Sequence, residues 1–412
     1  MGYLVSGMGY NEKLSPAWYQ VAMPFDPRAY AARFADGLAY RGRQPAEAHG
    51  SDAQRSRPAR RRTLHPRPQT PDPRPQTLDP SSMTHAWQHL SVLIAGCGSI
   101  GKRHARNLAA LGITDIRCFD PVAAQIESLV AETPIARPFG SYAEGLAAAP
   151  DCVWIMTPPR LHIPMALDAL RAGCHVFSEK PICDSRDGID DLQSALAASD
   201  RTMMVGLCFR FHEGLVKAKR LLDEGRIGRV VTIRALVGEP MPEIRPDYRE
   251  VWSPETIRWG AFDLTHDIDL AIWYAGQDVH RVECECGSFS DIGLRVPDVA
   301  DILIGFEDRC SATVHLDFFQ TPRRRQIELI GTDGVIIVEF SSWDECTVAA
   351  WSRNVGAWER DTIATERDDM FRDEIREFLQ AVTTGKQVSC TVDEALKSVD
   401  VVLRSVVSGD LD

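Results

Sequence analysis

The stretch SVLIAGCGSIG, Ser91 to Gly101, runs a strand-length apolar segment straight into glycines at 96, 98 and 101. A G-x-G-x-x-G pattern means little alone. It gains force where it closes a strand and opens a helix. Residues 99–111 have helical spacing, with Ile100, Leu108 and Leu111 on one side. Gly96 then permits a tight turn, Gly98 lets a pyrophosphate approach backbone N–H groups, and Gly101 lets helix and strand pack closely. The helix entrance, Ser99 and Ile100, turns its unpaired N–H groups toward the phosphates. An acidic residue belongs about 20 residues further on, at the end of the next strand. Asp120 closes DIRCFD at that place. Its carboxylate would accept ribose hydroxyls and repel an added phosphate. No Lys or Arg follows in DPVAAQ, so the expected cofactor is NAD in preference to NADP.

The alternation continues along the chain. Residues 123–132 read as a helix, CVWIMT and HVFSE as strands with a helix over 161–172 between them, then a helix over 185–198 and the strand TMMVG. Such alternation gives a parallel sheet with helices on both faces. After Gly206 the pattern changes. A helix over 212–224 precedes strand-like runs at 230–237, 279–289, 299–306, 310–318, 326–330 and 335–340, interrupted by a helix over 262–274. Helices over 369–383 and 392–407 end the chain. Successive strands imply an antiparallel or mixed sheet in a second domain. The expected fold is α/β: a nucleotide domain over 84–205, then an α+β domain over 206–412 with a large open mixed or antiparallel sheet, which takes in the helices over 369–407.

A third segment, VWIMTPPRLHIPMALDALRAGCHVFSEKPI, spans residues 153–182. It contains Thr157-Pro158, His162, a helix closing on Ala172-Gly173, and a strand ending in Glu179-Lys180-Pro181. In order and spacing this resembles the Gfo/Idh/MocA family of NAD(P)-dependent oxidoreductases. The resemblance runs from Ser91 to the C-terminus and includes VGLCFRFHEGLVKAKRLLDEGRIGRV, ELIGTDG and MFRDEIREFL. It implies an N-terminal Rossmann domain holding the dinucleotide through Gly96, Gly98, Ser99, Ile100, Gly101, Asp120, Thr157, Pro158, His162, Glu179 and Lys180. It also implies a substrate held against the open sheet of the second domain, whose outer face makes a homodimer or homotetramer. Lys180 matches the family lysine that touches the substrate hydroxyl and the cofactor ribose. Oxidising an alcohol sends a hydride to nicotinamide and a proton to a base, so a lysine fixed by a proline at this junction suits the chemistry.

The resemblance extends to GAFDLTHDIDLAIWYAG, where Asp263 and His266 lie three apart on a predicted helix and share a face. Family members usually carry an aspartate and a histidine here. Many space them four apart, and a branch reading Asp-Leu-Ser-His spaces them three apart. The implied catalytic set is Lys180 and His266 handling the proton, with Asp263 setting His266. Asp267 and Asp269 offer a second frame of acids. Three glycines usually precede this helix, whereas this chain has Trp259-Gly260-Ala261, which would narrow the pocket. Arg210 in FRFHE, with Tyr248 and Arg249 in DYREVWSPE, match residues near the family cleft and are candidate substrate contacts. The implied activity is NAD-dependent oxidation of a secondary alcohol of a sugar, sugar acid or sugar-nucleotide. Two alternatives are an NAD-dependent glycoside hydrolase of the same family and a non-catalytic sugar or nucleotide sensor.

Composition narrows the remaining classes. The chain has 412 residues, 44% hydrophobic and 25% charged, with a net charge of −12, which argues against nucleic acid as a partner. No apolar run approaches the roughly 18 residues of a membrane span. The start MGYLVSGMGYNEKLS lacks a basic segment followed by an apolar block, so a cytoplasmic location is expected. The eleven cysteines sit mostly in apolar runs and read as buried thiols. Cys284 and Cys286 have no second pair beside them, so no metal is expected. Residues 42–82 are rich in Pro and Arg, repeat PRPQT, and are expected not to fold. Met83 follows directly. Translation is expected to begin there, leaving 1–83 as a disordered or non-native leader, which the intact mass of the native protein would test.

Overall fold

The computed structural model describes residues 86–408, so the expected leader and the start at Met83 lie outside the described residues. Strands β1 (Ser91–Ala95), β2 (Asp115–Phe119), β3 (Arg137–Pro138), β4 (Cys152–Ile155), β5 (His175–Glu179) and β6 (Met203–Gly206) form one sheet in the order β3-β2-β1-β4-β5-β6. Every pairing in it is parallel. β1, β4 and β6 are buried at each position, as befits a sheet covered on both faces. The strands are linked through helices α1 (Ser99–Ala110), α2 (Ala123–Glu132), α3 (Tyr142–Ala147), α4 (His162–Arg171) and α5 (Ile189–Ala197). α1 buries Gly101, His104, Ala105 and Leu108, the one-sided spacing expected of it.

Strand order reverses between β1 and β4, and that crevice, at the carboxyl ends of the strands, is where such sheets take ligands. The register makes those ends level. Ala95 lies opposite Phe119 and Ile155, Ile155 opposite Ser178, and Glu179 opposite Gly206. Gly96, Asp120, Thr157 and Lys180 therefore emerge along one edge.

A second sheet holds β7 (Val230–Gly238), β8 (Val279–Gly287), β9 (Val299–Phe306), β10 (Ser311–Asp317), β11 (Arg324–Gly331), β12 (Gly334–Glu339), β13 (Glu345–Ser352) and β14 (Trp358–Ala364). Its order is β14-β13-β12-β11-β7-β10-β9-β8. Only β7 and β10 pair in parallel, so the sheet is mixed. Helix α6 (Glu213–Asp223) packs on β12 and β13, and α7 (Thr265–Ala275) on β7 and β10. The chain closes with α8 (Arg367–Thr384) and α9 (Val392–Ser408), the latter against β8. β13 and β14 lie beyond the strands expected from periodicity. β14, WERDTIA, is exposed along nearly its whole length and carries charge at the sheet edge, which discourages further pairing.

α8 follows the second sheet in sequence yet packs on the first. Phe378 is fully buried and meets Trp154 and Phe177 edge-on, with ring centroids 5.0 and 5.7 Å away. Trp154 and Phe177 themselves stack at 5.4 Å. Past α8, the Cys390 carbonyl accepts the Val205 N–H at 2.9 Å.

Candidate active site

The turn after β1 admits only glycine at two positions. Gly96 sits at φ +104°, and a Cβ there would lie 2.4 Å from the Met156 carbonyl oxygen. A Cβ on Gly101 would lie 1.9 Å from the Gly96 carbonyl oxygen. α1 then starts with no side-chain cap and no acid in its first turn, so its free N–H groups are available to an anion. The Thr157 hydroxyl, past the end of β4, is buried and has no partner. A glycine cradle, an uncapped helix start and an orphaned hydroxyl together fit a dinucleotide. Asp120 is at the expected strand end but has a second task. Its Oδ2 accepts the Cys97 N–H at 2.8 Å and its Oδ1 the Val122 N–H at 2.9 Å, bracing the glycine turn. Burial pushes its pKa up, and the two N–H bonds oppose that.

His162 and Glu179, expected at the cofactor, are held by partners within the protein. His162 is fully buried, and its Nε2 and Nδ1 face the Thr157 and Pro181 carbonyl oxygens at 2.7 and 2.8 Å. It staples the Thr157-Pro158 turn to the Lys180-Pro181 segment. Glu179 accepts the Lys180 N–H at 3.0 Å, and its other oxygen lies 3.3 Å from His104 Nε2. Beneath them Glu374 of α8 is buried with no hydrogen-bond partner for either oxygen. Burial first, and then the Glu179 charge, push its pKa well up.

Lys180 leaves the end of β5 and reaches across to the second sheet's side of the cleft. Its Nζ donates to the Asp263 carbonyl oxygen at 2.9 Å and to Asp263 Oδ1 at 3.2 Å. Asp263 Oδ2 accepts the Trp252 indole N–H at 3.2 Å. Asp263 thus sets Lys180, and no hydrogen bond joins it to His266. The reason is local. Asp263 ends a short 3₁₀ turn, Gly260–Asp263, whereas His266 belongs to α7, so the two do not share a helical face. The turn is forced by Gly260 at φ +55°, where a Cβ would lie 2.0 Å from the Pro297 carbonyl oxygen. The preceding Trp259 is buried. His266 stacks on Phe209 at 4.5 Å, and its Nε2 lies 3.8 Å from Cys208 Sγ. Burial, then the charges of Lys180 and Arg325, hold its pKa well below the ordinary value, so the ring is neutral.

Three expected substrate contacts are engaged elsewhere. Arg210 is buried, with Nε and Nη2 on the Asp269 carboxylate at 2.9 and 2.7 Å and Glu394 at 3.2 Å. The Tyr248 hydroxyl and Arg249 Nε and Nη2 all donate to the Ile292 carbonyl oxygen, at 2.5, 2.9 and 2.8 Å. They pin a loop. The second frame of acids is likewise structural: Asp269 holds Arg210, and Asp267 holds the buried Arg325 through both oxygens.

Comparison with known proteins bears on this geometry. A family model described as an oxidoreductase family with an NAD-binding Rossmann fold matches residues 90–207. The Gfo/Idh/MocA C-terminal domain matches residues 215–337, so the two span more than half of the chain. The chain belongs to the Gfo/Idh/MocA oxidoreductase family. The uncharacterized oxidoreductase YrbE of Bacillus subtilis is 25% identical over 320 residues, covering 74% of this chain and 90% of YrbE. The myo-inositol dehydrogenase Hyg17 of Streptomyces leeuwenhoekii is 27% identical over 229 residues, covering 55% of this chain and 66% of Hyg17, just under two thirds. The structure of myo-inositol 2-dehydrogenase from Lactobacillus plantarum superposes with a TM-score of 0.67 at 22% identity, covering 78% of this chain and 97% of that one.

Several residues of this Gfo/Idh/MocA cleft escaped motif spacing. Trp252 holds Asp263, Phe209 floors His266, and the Arg325 guanidinium lies 4.4 Å over the Phe209 ring. No spacing rule separates an aromatic floor from ordinary core. His212, after Phe209, is buried with Nδ1 unpartnered, and burial and the Arg325 charge push it down to about 4 from 6.5. The unfolded chain therefore binds this proton first. Stability should fall as pH drops from 6.5 toward 4, with no further loss from this group below that. Urea midpoints across that range should decline less steeply in His212→Gln, and parallel curves would contradict the assignment.

Proposed function

We propose that the protein is an NAD-dependent dehydrogenase that oxidises a secondary alcohol of a sugar-type molecule. The observation that carries this reading is the Lys180–Asp263 pair, which brings an amine from the end of the cofactor sheet onto the second sheet's side of the cleft beside a neutral histidine. Asp263, itself held by Trp252, fixes Lys180 where it can touch a substrate hydroxyl. His266 is neutral and so able to receive the hydroxyl proton, and the long contact to Cys208 leaves Nε2 loosely engaged. Bound at the glycine turn, NAD would supply the nicotinamide that accepts the hydride. Asp120 supports NAD over NADP, because a carboxylate disfavours an added phosphate. The inositol dehydrogenases among the relatives support a cyclic polyol or sugar as substrate class. Assembly as a homo-oligomer would use the uncovered face of the second sheet, which presents Arg234, Leu303, Thr313 and Glu328 side by side.

The test is a screen of inositols, sugars, sugar acids and sugar-nucleotides, following nicotinamide absorbance with NAD⁺ and NADP⁺ side by side. At least one should be oxidised, faster with NAD⁺. Ligand binding without turnover of any of them would favour a sensor and set the reading aside.

A further inference from the structure

Beyond His266, two guanidinium groups share one aromatic ring. The guanidinium groups of Arg323 and Arg367 both lie over the Trp343 ring, at 4.4 and 4.2 Å from its centre. Trp343 lies 6.3 Å from Phe209, the ring that stacks on His266. Arg323 is largely engaged: its Nε meets both Glu239 oxygens, and its Nη1 the Phe340 and Ser341 carbonyls. Its Nη2 is buried without a partner. Arg367 has no hydrogen bond or ion pair among the described residues, and its Nε is likewise buried and unpartnered.

The acids around Arg367 are engaged elsewhere. Glu366 and Asp369 pair with Arg372, and Asp368 pairs with Arg103 of α1. Asp344, beside Trp343, is exposed and bonds neither guanidinium. Over the ring itself stand two guanidinium groups, of which Arg323 is paired with Glu239 and Arg367 with no carboxylate. Arg367 therefore has no direct ionic partner, in a chain of net charge −12. A guanidinium over an indole ring can still turn N–H groups toward paired anionic oxygens.

We propose that Arg367, with Arg323 and the Trp343 ring, forms a subsite for an anionic group carried by the sugar substrate, a carboxylate or a phosphate. The proposal rests on the dehydrogenase reading for the word substrate. The site itself rests on the unpartnered N–H groups and their place one aromatic ring from His266. It favours sugar acids and sugar phosphates over neutral polyols.

The test is calorimetric titration of the NADH-saturated protein with D-glucuronate, glucose 6-phosphate and neutral D-glucose. At least one anionic sugar should bind roughly tenfold more tightly than glucose, with the margin shrinking as salt rises. Arg367→Ala should remove most of that margin and Arg367→Lys should keep part of it. A merely structural Arg367 would weaken anionic and neutral sugars alike. Anionic sugars binding no more tightly than glucose, or a margin that survives Arg367→Ala, would overturn the proposal. The glucuronate and phosphate arms show which anion is preferred. NADH affinity and the unfolding midpoint report whether the variant is folded. If Arg367→Ala is not, the same comparison is read in Arg367→Gln. Because no turnover is measured, an absence of nicotinamide reduction would defeat the dehydrogenase reading and leave this binding comparison intact.

Discussion

Lys180→Ala is expected to lower turnover by ~10²-fold or more while NADH still binds. The side chain touches no part of the glycine turn. What it loses is the bond from Nζ to Asp263, at 2.9 Å to the backbone oxygen and 3.2 Å to the carboxyl. Lys180→Arg should not restore the rate, because a planar fork cannot occupy the position of a compact amine. Asp263→Asn should be milder, since the backbone carbonyl still holds the amine. Steady-state kinetics on the best substrate from the screen, with NADH affinity in parallel, checks all three. Near-normal turnover in Lys180→Ala would remove the lysine from the chemistry and leave it as a bridge between the two sheets.

Asp267→Ala is expected to destabilise the protein by about 3–5 kcal/mol, since it strands the Arg325 guanidinium in a buried place. Both side chains are almost wholly enclosed, with relative exposures of 2% and 4%. Glu239 stays 3.7 Å from Arg325 and offsets part of the loss. The double change Asp267→Leu with Arg325→Met should recover most of it, because an apolar pair of similar size needs no compensating charge. Urea unfolding of the parent, single and double variants measures both. A loss below about 1 kcal/mol in the single variant would mean that water reaches the pair. The pair also bears on the proposed role of His266, because Arg325 lies over the ring on which His266 stacks.

Much of the scaffold is legible in the sequence. The strand run into Gly96, Gly98 and Gly101 anticipates the turn and helix α1, and local sterics explain why, since each glycine meets a backbone oxygen a few residues away. Lys180 was legible for a similar reason: its strand, its proline and its neighbours are contiguous. The second half of the cleft was harder. Arg210, Tyr248 and Arg249 resemble ligand contacts in sequence, yet the fold gives each a carboxylate or carbonyl partner 43 to 184 residues away. Asp263 meets Lys180 and makes no bond to His266, because a three-residue spacing implies one helical face only where the helix is unbroken. β14 leaves no trace in the periodicity because its exposed, charged residues carry no apolar alternation.

The route of α8 has a consequence for how the molecule comes into being. Trp154 and Phe177 leave the ribosome long before Phe378, and Val205 long before the Cys390 carbonyl that takes its N–H. The half that binds the nucleotide is therefore made first and completed last. It waits with an open aromatic face until nearly the whole chain has been synthesised.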